Sequence, residues 1–361
     1  MDIFSKMKEL GHEQLVFCQD RGAGLKAIIG IHNTTLGPAL GGCRMLPYAT
    51  EDEALIDVFL LSRGMTYKSG ASGDSFGGGK VVIIGDPKTD KSEKMFRALG
   101  RYVESLGGRF VTGTDVGTVP EDFIISNAET NWVVALPEEY GGSGDSSILT
   151  AFGTYRGIQA CARHRWGSAD LKGRSIAVQG LGKVGYNLIK HLIDAGADVT
   201  GADVSENAVE RVRSEFDIDV VDPDEIYDVK SDVFSPNALG AVIDSNTIDR
   251  ISCDIVAGAA NNQLADPSFA RVLADRGILY APDYVINAGG LIQVADELYG
   301  FNYDRAHKKV AGIYDTLLRI FARAESDGIT TAEAADLLVE ERLAKIAGIK
   351  SVYLPDEDHL D

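Results

Sequence analysis

Three side chains stand out for the chemistry they could share. Lys68 closes the run Gly64-Met65-Thr66-Tyr67-Lys68, and Lys80 closes Gly77-Gly78-Gly79-Lys80. Asp115 sits in Thr112-Gly113-Thr114-Asp115-Val116-Gly117, a glycine-flanked turn after an apolar strand. A lysine can hold a carboxylate or, when desolvated, give up its proton near neutral pH; an aspartate can carry protons between substrate and water. Each of the three alone reads most simply as a solvated surface residue. Together they supply two cations, an acid and glycine-rich backbone. Gly77 to Lys80 is not a nucleotide-triphosphate loop, which needs Gly where Asp74 stands and Ser or Thr where Val81 stands.

A second constellation is Gly180-Leu181-Gly182-Lys183-Val184-Gly185, a GxGxxG run between a strand and an amphipathic helix. Gly180 permits the tight turn, Gly182 lets the backbone approach a pyrophosphate, and Gly185 lets helix pack on strand. The first helical amides then face negative charge. Asp203 lies 23 residues beyond Gly180 (203 − 180), at the end of the next strand, where a carboxylate grips ribose hydroxyls. The pattern predicts a nicotinamide-dinucleotide site. Asp203 would repel a 2′-phosphate, which favours NAD over NADP.

The elements that must position these residues alternate between strand and helix, an α/β pattern. Residues 25–31 and 80–84 read as strands, with helices over 51–63 and 92–106. The stretch from Pro137 to Ser147 reads as a junction or loop. A helix over 150–166 leads into a second α/β unit, with strands at 175–179, 199–203, 233–234, 255–256 and 278–280 and a helix over 184–195. Residues 304–324 and 331–347 read as closing helices.

Composition narrows the class. The chain has 361 residues, which suggests two domains, and 35 basic against 54 acidic side chains give a net charge of −19. That balance argues against nucleic-acid partners and anionic membrane surfaces. No run is long and apolar enough for a membrane span, and the start lacks the apolar core of a signal peptide. Cys18, Cys43, Cys161 and Cys253 form no CxxC pair and read as reduced thiols of a cytoplasmic protein. The six histidines show no metal-ligand spacing, so no metal is expected.

Gly-Met-Thr-Tyr-Lys at 64–68, Gly-Gly-Gly-Lys at 77–80, Thr-Asp-Val-Gly at 114–117, Gly-Ala-Ala-Asn-Asn-Gln at 258–263 and Pro-Asp-Tyr-Val-Ile-Asn-Ala-Gly-Gly at 282–290 form an ordered set along nearly the whole chain. With these motifs the sequence resembles the glutamate/leucine/phenylalanine/valine amino-acid dehydrogenases. The stretches 141–147 and 180–186 are similar to the phenylalanine dehydrogenase branch. Leucine-specific members usually carry Thr-Ala-Glu-Asp where this chain has Thr112 to Asp115, and a Val where it has Leu291.

The resemblance implies two domains around a cleft. The N-terminal α/β substrate-binding and oligomerisation domain would span 1–147, with a C-terminal helix, 330–361, packing back on it. A Rossmann-type NAD-binding domain would span 148–329. It implies reversible oxidative deamination of an apolar L-amino acid, phenylalanine first, to a 2-oxo acid and ammonia, by a homo-oligomer. Lys68 would hold the α-carboxylate with Asn262 and backbone near Gly41. Lys80 and Asp115 would be catalytic. Thr150, the Gly180–Gly185 turn, Asp203, Ala238 and Asn287 would hold NAD, with Arg44 touching cofactor or structure. Leu40, Gly113, Leu291 and Val294 would line the side-chain pocket. Leu40 stands where glutamate enzymes carry a lysine, and Gly113 would make room for an aromatic ring. Lys68 would stay charged while Lys80 would have a depressed pKa. Asn237 replaces a common Cys, and Asp74 replaces an apolar residue where it could alter the field at Lys80. The rivals are leucine, branched-chain or tryptophan specificity, a non-catalytic NAD-binding regulator, and a hydroxy-acid oxidoreductase using Tyr186 and Lys190.

Overall fold

Two sheets gather the strand-like segments in a computed structural model that describes residues 1–348. The first holds β1 (Gln14–Asp20), β2 (Leu25–Asn33), β3 (Ala39–Leu46), β4 (Gly77–Ile84) and β5 (Phe110–Thr114), in the order β1-β2-β4-β3-β5. β2 runs antiparallel to both β1 and β4, whereas β3 runs parallel to β4 and β5. The second holds β6 (Ser175–Gln179), β7 (Asp198–Ala202), β8 (Asp219–Val220), β9 (Val233–Pro236), β10 (Ile255–Val256) and β11 (Leu279–Tyr280). It is parallel throughout, in the order β11-β10-β9-β6-β7-β8. Strand order reverses between β6 and β9, so the crevice beyond their carboxyl ends is the natural place for a ligand.

The helices are α1 (Ile3–Leu10), α2 (Glu51–Ser72), α3 (Glu93–Glu104), α4 (Pro120–Asn127), α5 (Ser147–Trp166), α6 (Lys183–Asp194) and α7 (Glu206–Glu215). After them come α8 (Phe269–Asp275), α9 (Asp283–Ile286), α10 (Gly289–Glu297), α11 (Tyr303–Ala311), α12 (Ile313–Asp327) and α13 (Thr331–Ala347). Ile29, Val81, Phe96, Phe110 and Phe123 pack the core between the first sheet and α3 and α4. A separate core joins β6, α5, α6 and α12 through Val178, Ile158, Leu188 and Phe321. The four cysteines are unpaired thiols.

α2 is longer than the sequence suggests. Thr50 caps its start, accepting from the Glu53 amide, and Gly73, at φ 77°, ends it. The helix runs through Gly64 and Gly70, at about 1 kcal/mol each, because its packing on β4 holds it together. That packing needs bare backbone: a Cβ on Gly78 would lie 2.1 Å from the Thr66 amide nitrogen. β3 escaped sequence reading for a related reason. Gly41 and Gly42 look like a turn, yet they sit mid-strand where the Gly79 and Thr114 carbonyls crowd against them.

The helix expected over 304–324 is divided at Gly312 into α11 and α12. α13 packs on α2: Arg342 donates to the carbonyls of Gly70 and Asp74, both at 2.7 Å, and Tyr67 donates to Glu340 at 2.9 Å. The last part of the 330–361 segment lies outside the described residues. Asp74 is buried, and its carboxylate takes the Ser72 hydroxyl and the Lys309 ammonium of α11. It stands just past the end of α2 and faces α11, so its carboxylate is ion-paired with Lys309, a partner that the sequence-based expectation of an effect on Lys80 did not include.

Replacing Gly78 with Ala forces α2 off β4. We expect a thermal-unfolding loss of about 3 kcal/mol or more together with lost activity. An unchanged melting temperature would contradict the close contact.

Candidate active site

The glycine contact between α2 and β4 places Lys68, two residues beyond Thr66, beside Lys80, two residues beyond Gly78. Both line one cavity of about 450 Å³ between the two sheets. Lys80 is buried, and its ammonium is ion-paired with the Asp115 carboxylate at the end of β5. Arg44, on β3, brings its Nε to 3.3 Å from the same Asp115 oxygen and an Nη to 3.2 Å from Asp57 on α2. Tyr48 donates to Asp57 at 2.5 Å. Burial alone would raise the Asp115 pKa, but Lys80 and Arg44 overrule it and hold the carboxyl below its ordinary value. Arg44 is thus committed to two carboxylates of the first sheet and its helix, which is the structural alternative to the cofactor contact the sequence allowed.

The sequence assigned the weakened ammonium to Lys80 and a permanent charge to Lys68. The structure lowers the Lys68 pKa to about 8, because burial strips its water and Lys80 adds like charge. Asp283 opposes that shift from across the cavity. Its carboxylate accepts the amides of Gln263 at 3.0 Å and Tyr284 at 2.6 Å, yet burial still raises its pKa. Sequence reading missed Asp283, although it quoted the motif. An Asp after Pro at a helix start looks like a cap, and nothing local reveals that it is buried opposite a lysine.

The apolar end of the cavity is formed by Leu40, Val134, Leu291 and Val294, with Met65 beside them. Gly113 lines the wall too, but not as expected. A methyl there would lie 2.8 Å from the Val134 carbonyl oxygen and 3.2 Å from its Cγ2. Gly113 therefore does not open space directly; it lets Val134 stand against β5. Gly41, Asn262, Thr150, Val184 and Asn287 complete the lining from both halves of the chain. Asn262 adopts φ 51°, and Asn287 donates to Asn261 at 2.7 Å and to the Ala259 carbonyl at 3.1 Å. The buried Asn287 Oδ1 has no partner among the described residues, leaving an acceptor free for a bound molecule.

The remaining sequence-predicted residues lie at the carboxyl ends of β6, β7 and β9 rather than on the cavity wall. Gly180 takes φ 92° with Ala238 against it, and a Cβ on Gly185 would lie 1.9 Å from the Gly180 carbonyl. Gly182 caps α6 with open space where its Cβ would be. Asp203 accepts the Leu181 amide at 2.6 Å, while the Leu181 side chain is buried, so that residue offers only backbone. Lys183 pairs with Asp145 at 3.1 Å. Tyr186 instead donates to Glu215 on α7, which removes it from any cleft chemistry.

Residues 12–136 match the family described as Glu/Leu/Phe/Val dehydrogenase, dimerisation domain. Residues 141–209 and 202–354 match Glutamate/Leucine/Phenylalanine/Valine dehydrogenase. The chain belongs to this dehydrogenase family. It is 51% identical over 360 residues to the leucine dehydrogenase of Thermoactinomyces intermedius, covering 100% of this chain and 98% of that one. It is 53% identical over 350 residues to the phenylalanine dehydrogenase of Caldalkalibacillus thermarum (strain TA2.A1), covering 96% and 95%. The crystal structure of L-tryptophan dehydrogenase from Nostoc punctiforme superposes with a TM-score of 0.86 at 45% identity, over 95% of this chain and 99% of that one. This member of the Glu/Leu/Phe/Val dehydrogenases is accordingly an amino-acid dehydrogenase of the leucine/phenylalanine/tryptophan type, an oxidoreductase acting on a CH–NH2 group.

Removing the Arg44 guanidinium removes a cation that favours the ionised Asp115. Arg44→Ala should therefore raise the Asp115 pKa, read from the carboxyl carbon shift across a pH titration; an unmoved titration would take Arg44 out of the Asp115 environment.

Proposed function

We propose that the enzyme catalyses NAD-dependent, reversible oxidative deamination of an apolar L-amino acid, with phenylalanine the preferred substrate. The carrying observation is that Lys68, Lys80, Asp115 and an apolar wall share one cavity with Thr150, Val184 and Asn287 of the second half. The residues fit a dinucleotide: the Gly180 turn, the open space at Gly182, the α6 amides and the Asp203 carboxylate are present in the required arrangement. When bound, the nicotinamide supplies the hydride acceptor. Ala238, packed against the Gly180 turn, would border the cofactor, and Asn287 Oδ1 offers a buried acceptor in the cavity.

The chain's own residues do the rest. Lys68 grips the substrate carboxylate, with Asn262 and the Gly41 backbone alongside. Once the α-carbon is oxidised to the imine, Lys80 polarises water for attack at that carbon. Asp115 accepts a proton from the water and returns one to the departing ammonia. Leu40 and Val294 leave a side-chain carboxylate without a cation, and burying it unpaired is costly, which disfavours glutamate. Leu291, in place of the Val usual in leucine-specific members, supports the phenylalanine reading, on a wall that is apolar throughout with Leu40, Val134 and Val294. The relatives' names keep leucine and tryptophan specificity as the competing readings. The match to a dimerisation domain supports a homo-oligomer.

The deciding assay is NADH oxidation with ammonia and phenylpyruvate, 4-methyl-2-oxopentanoate or indolepyruvate. Phenylpyruvate should give the highest kcat/KM, and a strong preference for the leucine-derived acid would overturn the assignment. Lys80→Ala should lower kcat by roughly 10²–10⁴-fold with little change in amino-acid binding; near-normal turnover would remove Lys80 from the mechanism. Lys68 has a lowered pKa, so its charge is full below pH 8 and is lost as pH rises through about 8. The carboxylate inhibitor 3-phenylpropionate should bind without proton uptake at pH 6.5 and with uptake near pH 9, measured by calorimetry in two buffers. Equal proton balance at both pH values would contradict a Lys68–carboxylate contact.

A further inference from the structure

The two walls of the apolar end come from different places. Leu291 and Val294 project from α10, and Val134 comes from the segment that follows α4 and leads towards α5. The Val134 amide donates to the Thr112 carbonyl at 2.8 Å, which ties it to β5. What ties the same segment to α10 is a pair of side chains, Glu297 and Gln293. The Glu297 carboxylate, in the last turn of α10, accepts the Ala135 amide at 2.8 Å, the Ser143 amide at 2.9 Å and the Ser143 hydroxyl. Gln293, one turn earlier and buried, donates to the Ser143 carbonyl at 2.8 Å.

Ala135 itself has φ 61°, a left-handed conformation that a residue with a Cβ adopts only when its surroundings impose it. Its amide, in that conformation, is the one that the Glu297 carboxylate takes. The residue forced into this conformation directly follows Val134, so the direction of the wall depends on the bond at Ala135. Ala135 lines the cavity beside Val134, whereas Glu297, Gln293 and Ser143 stand behind that wall and are not part of the lining.

We infer that Glu297 is a specificity-positioning residue: through Ala135 it sets the gap between Val134 and the Leu291–Val294 face, and so selects the size of amino-acid side chain. The inference rests on the reading above that this end of the cavity receives the side chain. It predicts that shortening or neutralising the clamp changes which substrate is preferred, whereas a merely structural staple would change only stability.

The test compares kcat/KM for leucine, phenylalanine and tryptophan in the wild type, Glu297→Asp and Glu297→Gln, with KM for NAD and the melting temperature measured alongside. Retracting the carboxylate by one methylene draws Ala135 towards α10, so Glu297→Asp should shift the leucine-to-tryptophan ratio towards leucine by about 5-fold or more, within the range one methylene commands. Glu297→Gln turns an amide NH2 towards donors, releases Ala135 and should shift the ratio the other way. KM for NAD should stay within about 2-fold in both, since Glu297 bonds Ala135 and Ser143 and not the Gly180 turn. Ser143→Ala deletes one donor and leaves α10 intact; it should move the ratio in the direction of Glu297→Gln by a smaller factor, and it decides the matter if Glu297→Gln does not fold. Ratios that stay at the wild-type value, or three kcat/KM values that fall by a common factor, overturn the inference. A wild-type enzyme inactive on all three amino acids would instead sink the proposed function.

Discussion

Everything at the cavity floor depends on how closely α2 can lie on β4. With no side chain on Gly78, helix backbone and strand backbone touch at Thr66. The contact fixes two lysines from segments that have no other reason to meet. Burial then does the chemical work. It strips water from Lys68, lowers its pKa to about 8, and leaves an ammonium whose charge a carboxylate would restore.

The charges around this floor alternate in sign. Lys80 faces Asp115, Asp115 shares an oxygen with Arg44, and Arg44 reaches Asp57. On the other side, Lys68 lies opposite Asp283. Each group is held by neighbours on different elements, so the arrangement stands before a substrate arrives. Such preorganisation is what lets fixed charges act on a developing transition state without rearranging first.

Much of this was legible in the chain. The GxGxxG run, its flanking strand and helix, and Asp203 at the next strand end all follow from local pattern, because a dinucleotide-binding turn is a local structure. Lys68, Lys80 and Asp115 were found through motifs, and the structure gathers them. What escaped depended on packing across distance. β3 was hidden by its glycines, α2 ran past two glycines that usually weaken a helix, and Asp74 turned to a lysine more than two hundred residues away. Gly113 shows the limit most clearly: its identity suggested empty space, but its neighbour Val134 fills the direction a methyl would take.

The seating of α13 has a consequence for how the chain matures. A methyl-sized groove at Gly70 receives Val339, and Arg342 completes the carbonyls at the end of α2. The helix that bears Lys68 is therefore left without its outer cover until the closing segment has been synthesised. During translation the leading half can collapse around its own sheet, but the lysine-bearing helix acquires its final neighbours only once α13 has emerged. A nascent chain halted before residue 331 would hold every glycine and every charged group of the floor, and still present α2 with an uncovered flank.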